Sequence, residues 1–402
     1  MDIQIFPSVA SGSINAPPSK SCAHRLLIAS ALAKGDSVIE NIGTNEDIKA
    51  TVDCLKKLGA SIVLKDTTVY VTGINQNSEK DVLDLYCNES GSTIRFLIPL
   101  SLVFARKVNF TGHGRLMDRP QTVYEDLFKT KGCYLEKVQD TLVAGGSLQG
   151  GVYEMPGNVS SQFLTGLLFT LPLLKEDSEI LITTPMQSVP YVDITIDVLA
   201  RFGIEIIKRS NEHYLIKGSQ SYKPLNTSVE GDWSNSAFLE AFNLLGGNVN
   251  VEGIREDSFQ GDKVYRDFYK LLNDSDPTLD ISDCPDLGPV LIALAAAKNG
   301  ATLTGTKRLK IKESDRGLAM QEELLKFGVK TEVADDTVII PKTELKAPKE
   351  PLNCHNDHRI AMSLSVLCSV VGGTLNNAEC VNKSYPDFFE DIGKLQIKYK
   401  IL

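Results

Sequence analysis

CLKKLGASIVL, residues 54–64, decides the architecture. Cys54, Leu55 and Leu58 share one face at helical spacing, Gly59 offers a C-cap, and residues 61–64 continue as a strand. The same phrase returns as LFKTKGCYLEKV (127–138), VLARFGIEIIK (198–208) and ELLKFGVKTEV (323–333). FYKLLNDSD (268–276) and FFEDIGKLQIKYKIL (388–402) are degenerate copies. An Asp anchors each one: Asp47, Asp118, Asp193, Asp262, Asp315 and Asp387, spaced by 71, 75, 69, 53 and 72 residues. A fixed period of this size is the mark of a repeated supersecondary unit.

A second series runs 26 to 32 residues ahead of the first, at Ser21, Ser92, Ser161, Ser234, Asp286 and Asp357. These are helix N-cap or first-turn residue types, and strongly apolar stretches follow them, such as Leu26-Leu27-Ile28-Ala29 and Val290-Leu291-Ile292-Ala293. Helices apolar over most of their circumference belong inside. The two series together predict six units, each with a buried helix, a more exposed helix and strands around them. The sixth unit runs out of chain at Leu402, while residues 2–6 form a strand with no unit of its own. That strand is expected to complete the last sheet, which makes the second half discontinuous. The expected division is 14–228 against 1–13 with 229–402, with crossings in the Gly-, Ser- or Pro-containing segments 11–18 and 228–232.

Composition narrows the function. The 402 residues suffice for two or three domains. A net charge of -9 disfavours nucleic acid as a partner, and 42% hydrophobic with 23% charged residues is ordinary globular composition. The most apolar run, residues 163–174, holds 12 residues including Gly166 and Pro172, where a membrane span needs about 20. The start MDIQIF has no basic region leading into an apolar one, so a cytoplasmic protein is expected. Eight dispersed cysteines without a CxxC pair do not read as a disulfide framework. The metal-like patch Cys354, His355, His358 beside Asp357 gives at most three ligands, with no second cluster to complete them. No metal and no cofactor is expected.

The basic residues are placed selectively. Lys20, Arg25, Arg95, Arg119, Lys312, Arg316 and Arg359 lie at or near helix starts, and Lys383 precedes the last Asp anchor. Helix N-termini attract anions, so several such ends facing one cleft would make a cationic pocket in an acidic protein. The substrate class this implies is a small molecule bearing several phosphate or carboxylate groups. Taken singly, each motif has a plain alternative. PPSKSCAHR (17–25) can be an ordinary capped helix, VSSQF (159–163) a simple cap, and KESDR (312–316) a solvated turn. Recurrence at the same point of each repeat is what favours a site.

PPSKSCAHR, ESGSTIRF, GRLMDRP, VSSQFLTGLL, SVPYVDIT, EGDWSNSAF, DCPDLGP, LKIKESDR, NDHRIAMS and NKSYPDFF occur in that order. With this set the chain closely resembles the 5-enolpyruvylshikimate-3-phosphate synthase family over essentially its whole length. The resemblance implies a two-domain inside-out α/β barrel of six βαβαββ-type repeats, three per domain, with helices buried, sheets outside and domains that close on substrate. It implies that residues 14–228 carry shikimate 3-phosphate contacts and the discontinuous domain the phosphoenolpyruvate and general-base contacts. Lys20, Ser21, Arg25, Ser160, Ser161, Gln162, Ser188, Tyr191, Asp286 and Lys312 match shikimate 3-phosphate contacts. Lys20, Gly91, Arg119, Gln162, Arg316, Arg359 and Lys383 match the phosphoenolpyruvate pocket. Asp286 matches the acid facing the attacking hydroxyl, while Glu313 and Lys20 match candidate proton donors to the methylene carbon. Pro18, His24 and Glu89 depart from the usual residues, and a carboxylate at 89 would repel an anion unless it points away.

The implied chemistry is metal-free carboxyvinyl transfer by a cytoplasmic monomer acting on two small molecules, without membrane or nucleic-acid partners. The nearest rival, UDP-N-acetylglucosamine enolpyruvyl transferase, usually has a catalytic Cys in the loop matching residues 112–120, which here reads GHGRLMDRP. A non-catalytic repeat scaffold would have no need of Lys20, Asp286, Glu313, Arg316 and Arg359 together.

Overall fold

The four clearest Asp-anchored phrases fold as read, each a helix, a break near glycine, and a strand that turns back on the next. In the computed structural model, which describes residues 1–74 and 80–402, the chain forms two compact units, Pro18–Glu230 and Met1–Pro17 with Gly231–Leu402. The crossings fall at 17/18 and 230/231, a few residues beyond the expected 13/14 and 228/229.

The unit Pro18–Glu230 holds helices α1 (Lys20–Leu32), α2 (Glu46–Leu58), α3 (Gly91–Ser101), α4 (Thr122–Lys129), α5 (Ser161–Thr170) and α6 (Val189–Arg201). Its three four-stranded sheets share one order. The first two strands are parallel neighbours, and a hairpin adds antiparallel to the second. One sheet runs Lys80–Tyr86, Ala105–Thr111, Thr141–Gly146, Cys133–Val138, and another Gly151–Met155, Ser178–Ile182, His213–Ile216, Ile206–Ser210. The third borrows Asn226–Ser228, from the far end of the unit, as the parallel neighbour of Asp36–Glu40. A parallel pair needs a crossover: the buried helices α3 and α5 each connect the two parallel strands of their own sheet, while the buried helix α1 leads into Asp36–Glu40, whose parallel partner comes from the far end of the unit. The two parallel-paired strands and the hairpin leave one sheet face to solvent, as at Tyr70, Val82 and Val152.

The other unit holds α7 (Trp233–Leu244), α8 (Tyr265–Asp274), α9 (Gly288–Ala297), α10 (Arg316–Lys326), α11 (His358–Val371) and α12 (Phe388–Lys394). Helix α9 is buried from Gly288 to Ala296, as its all-apolar sequence requires. Strand Ile3–Ile5 pairs antiparallel with Gly373–Asn376 and with Tyr399–Ile401, so the N-terminus does complete the last sheet. The fourth repeat explains the two short spacings. Its sheet is the pair Ser11–Asn15 and Asn248–Glu252, and after α8 the chain passes at once to Thr278–Asp280 of the next sheet, without a hairpin. Each unit has its own apolar core, centred on α1, α3 and α5 in one and on α7, α9 and α11 in the other.

Candidate functional site

The candidate residues fall into two sets, one on each unit. On Pro18–Glu230, Ser19 caps α1 by accepting from the Cys22 N–H, which starts the helix at Lys20. Lys20 Nζ donates to Asp47 Oδ2 at 2.9 Å. Arg25, one turn on, is buried and donates to the Ser21 carbonyl (2.8 Å), the Tyr191 carbonyl (3.0 Å) and Thr195 Oγ1 (2.8 Å), with its guanidinium carbon 5.2 Å from the Phe96 ring centre. Burial pulls its pKa down to about 10, because no carboxylate is among these partners. Ser160 caps α5 and puts Gln162 in its first turn, where Gln162 Oε1 accepts from Arg95 Nη1 (2.8 Å) and Nε2 donates to Ser92 Oγ (3.0 Å). Ser161 opens the same helix. Ser188 precedes α6 in the left-handed conformation, φ 57°, a strained state for a non-glycine residue, and Tyr191 follows in the first turn.

Gly91 opens α3 behind the cap Ser90. A Cβ there would lie 2.7 Å from Arg119 Nη1 and 3.6 Å from Gln162 Oε1, so Gly91, Arg119, Gln162 and Arg95 form one cluster. Glu89 faces the loop that follows Gly112: its Oε1 accepts from the Arg115 N–H at 3.3 Å and it packs on Gly114. The feared carboxylate is thereby engaged with backbone. His24 is buried and joins α1 to α2 and α3 through Thr51 (2.8 Å), Thr93 (2.7 Å) and Ser90 (2.7 Å). Burial first, with Lys20 and Arg25 nearby, holds its pKa well below the usual histidine value.

The second set centres on Asp286, in the turn before α9. Its Oδ1 accepts from Lys312 Nζ (3.1 Å) and Arg316 Nη1 (2.7 Å), and its Oδ2 from Arg359 Nη2 (3.2 Å). Arg316 starts α10 behind the cap Asp315 and is 1% exposed. Its Nε donates to Asp357 Oδ2 (2.9 Å), and its Nη2 to Glu313 Oε2 (2.8 Å) and Asp357 Oδ1 (3.3 Å). Asp357, fully buried, also caps α11 at the Arg359 N–H and accepts from Ser314 Oγ. Arg359 Nη1 donates to Ser234 Oγ at 2.9 Å, and Lys383 Nζ to the Asn356 carbonyl. Burial opposes the Asp286 charge, but Arg359, Lys312 and Arg316 overcome it and hold its pKa well below the carboxylate range. Burial brings Lys312 down to about 8 despite Asp286.

KESDR is therefore not a solvated turn. The expectation of a bare cationic pocket needs correction on this unit, where three cations face the three carboxylates Asp286, Glu313 and Asp357. The patch at 354–358 does not converge either. Cys354 packs on Cys380, His355 Nε2 sits 3.0 Å from Glu323 Oε1, and His358 is buried beside Asp357. The nearby group Glu322, Glu323 and His355 already has Lys326 on Glu323. Sequence reading uses Asp47 and Ser234 only as repeat anchors and Asp357 as an anchor beside the metal-like patch, counts Arg95 only among the basic residues near helix starts, and leaves Thr195 out. The helix-start position of four of them is the signal that could single them out.

The family model for EPSP synthase (3-phosphoshikimate 1-carboxyvinyltransferase) matches residues 7–392. The chain belongs to the EPSP synthase family. It is 41% identical to the 3-phosphoshikimate 1-carboxyvinyltransferase of Clostridium perfringens (strain ATCC 13124), over 97% of each chain. It is equally close to that of Clostridium kluyveri, over 98% of this chain and 97% of the relative. A solved EPSP synthase from Acinetobacter baumannii, 22% identical, shares the fold with a TM-score of 0.79 over 99% of both chains. Membership of the EPSP synthase family agrees with three sheets in each unit. No helix among the described residues is long and apolar enough to cross a membrane.

Proposed function

We infer that the chain transfers the enolpyruvyl group of phosphoenolpyruvate to the 5-hydroxyl of shikimate 3-phosphate, releasing phosphate, in the shikimate pathway toward chorismate and the aromatic amino acids. Family membership supports the reaction. The observation that supports the residue roles is the convergence of Lys312, Arg316 and Arg359 on Asp286. In this reading Lys20, Ser21, Arg25, Ser160, Ser161, Gln162, Ser188, Tyr191 and Lys312 hold the phosphorylated acceptor. Lys20, Gly91, Gln162, Arg119, Arg316, Arg359 and Lys383 hold the donor.

Asp286 takes the hydroxyl proton as the oxygen attacks C2 of the donor, and Glu313 or Lys20 delivers a proton to C3. The tetrahedral adduct then loses phosphate from C2 and a proton from C3, the proton returning to the group that delivered it, and the C=C of the enol ether forms. The protein supplies orientation and fixed charge, and a positioned acid or base is typically worth about 10² to 10⁴ in rate. The same reading makes the enzyme a cytoplasmic monomer. The test is phosphate release from phosphoenolpyruvate with shikimate 3-phosphate and UDP-N-acetylglucosamine offered separately. Release is expected with the first alone, and Asp286→Ala is expected to lower it about 10³-fold in folded protein. Release with the UDP-sugar would overturn the substrate, and wild-type turnover by Asp286→Ala would overturn the base.

A further inference from the structure

A guanidinium has five N–H donors in a fixed fork, and carboxylates and phosphates bind it edge-on. Asp286 and Glu313 already sit on the terminal nitrogens of Arg316, and Asp357 on its Nε edge. Asp286 also holds Arg359 through Nη2. The three carboxylates are not equivalent. Asp357 is 0% exposed and is tied down further by Ser314 and by the start of α11, so it is the permanent partner. The side chains of Asp286 and Glu313 are 20% and 16% exposed, and they cover the edges a solute would approach.

We propose that Asp286 and Glu313 are resident anions of the donor site, competing with phosphoenolpyruvate for the terminal nitrogens of Arg316 and Arg359. The proposal rests on the reading that the donor binds these two arginines. Lys312, Arg316 and Arg359 are already paired with Asp286, Glu313 and Asp357, with Arg308 a fourth cation near Lys312, so a donor carrying two or more negative charges meets guanidinium edges that are occupied. It takes over guanidinium edges, and the two displaced carboxylates are left beside new negative charge. Both consequences serve the chemistry. Asp286, paired to three cations, is a poor proton acceptor and becomes a better one when the arginines turn to the donor. Glu313 next to donor charge holds a proton more readily, as a proton donor to C3 must. Donor binding thus arms both groups.

The test is calorimetric titration of the full chain with phosphoenolpyruvate, in the presence of a shikimate 3-phosphate analogue that lacks the 5-hydroxyl and so cannot react, for wild type, Asp286→Asn, Glu313→Gln and Arg359→Ala. Asp286→Asn is expected to lose turnover yet bind the donor roughly tenfold tighter, because a competitor for the arginines is gone. Glu313→Gln is expected to shift binding in the same direction, and it decides the matter alone should Asp286→Asn not fold. Unchanged or weaker donor binding by the folded carboxamide variants would overturn the competition. Arg359→Ala separates the two ideas: if it leaves wild-type donor affinity intact, the donor does not bind there and the underlying reading fails instead.

Discussion

Arg25 and Arg316 are both buried guanidinium groups, and the chain satisfies them in opposite ways. Arg25 is met by two carbonyls, a hydroxyl and an aromatic ring, which leaves its charge uncancelled and suited to a phosphate. Arg316 is met by three carboxylates, and its pKa rises although burial alone would lower it. Lys312 lies between these cases and has a testable consequence. It is charged below about pH 8 and neutral above, so its hold on an anion is lost as pH rises. The KM for shikimate 3-phosphate should climb about tenfold per unit above pH 8, and Lys312→Arg should flatten the profile. A wild-type KM constant to pH 9.5 would exclude Lys312 from acceptor binding. Gly91→Ala should leave the melting temperature unchanged, since its Cβ meets the flexible end of Arg119. The displaced guanidinium should raise the KM for phosphoenolpyruvate about tenfold with little change for the acceptor. Steady-state kinetics with each substrate varied would show whether the effect falls on the donor. Residue types at helix starts made these side chains legible in the sequence. Their pairing was not, because Asp286, Arg316 and Asp357 are 30 and 41 positions apart and meet only in the packed unit.

At the level of elements, the helix–glycine–strand phrase was enough to place α2, α6 and α10 and the strands after them. The 53 residues from Asp262 to Asp315 and the 52 from Ser234 to Asp286 are explained only by the structure, where the fourth repeat lacks a hairpin. What the sequence did not reveal was why α3 and α5 lie so close. Tyr124, from α4, reaches between them and donates to the carbonyls of Arg95 (2.9 Å) and Phe163 (2.8 Å). Gly166 makes the room: a Cβ there would be 2.3 Å from the Tyr124 hydroxyl oxygen and 2.6 Å from the Arg95 carbonyl oxygen. Both obstacles are fixed, one of them backbone. Gly166→Ala should therefore destabilise by about 1–3 kcal/mol and push Arg95 off Gln162, lowering activity as well as melting temperature. Tyr124→Phe with Gly166→Ala should recover part of the stability, because half of the obstruction is then removed. No recovery in that double variant would leave the backbone contact as the whole cause.

For the whole molecule, the interleaved chain makes one strand answer for a unit it does not adjoin in sequence. Ile3–Ile5 lies between Gly373–Asn376 and Tyr399–Ile401, and among the described residues the C-terminal strand has no other partner in that sheet. Ile3 and Ile5 are both buried in the core of α7, α9 and α11, and no described residue of Pro18–Glu230 belongs to that core. Ile5→Ala should cost about 2–4 kcal/mol from the transfer and cavity terms together. The chain has one tryptophan, Trp233, buried in the same core with its indole N–H on the Arg255 carbonyl, so its fluorescence reports this unit alone. In urea the fluorescence midpoint should fall by about 1 M. Circular dichroism, which sees both units, should resolve a second component that stays at the wild-type midpoint. Equal shifts of both signals would show that the units unfold as one, in spite of their separate cores and the mere two crossings between them.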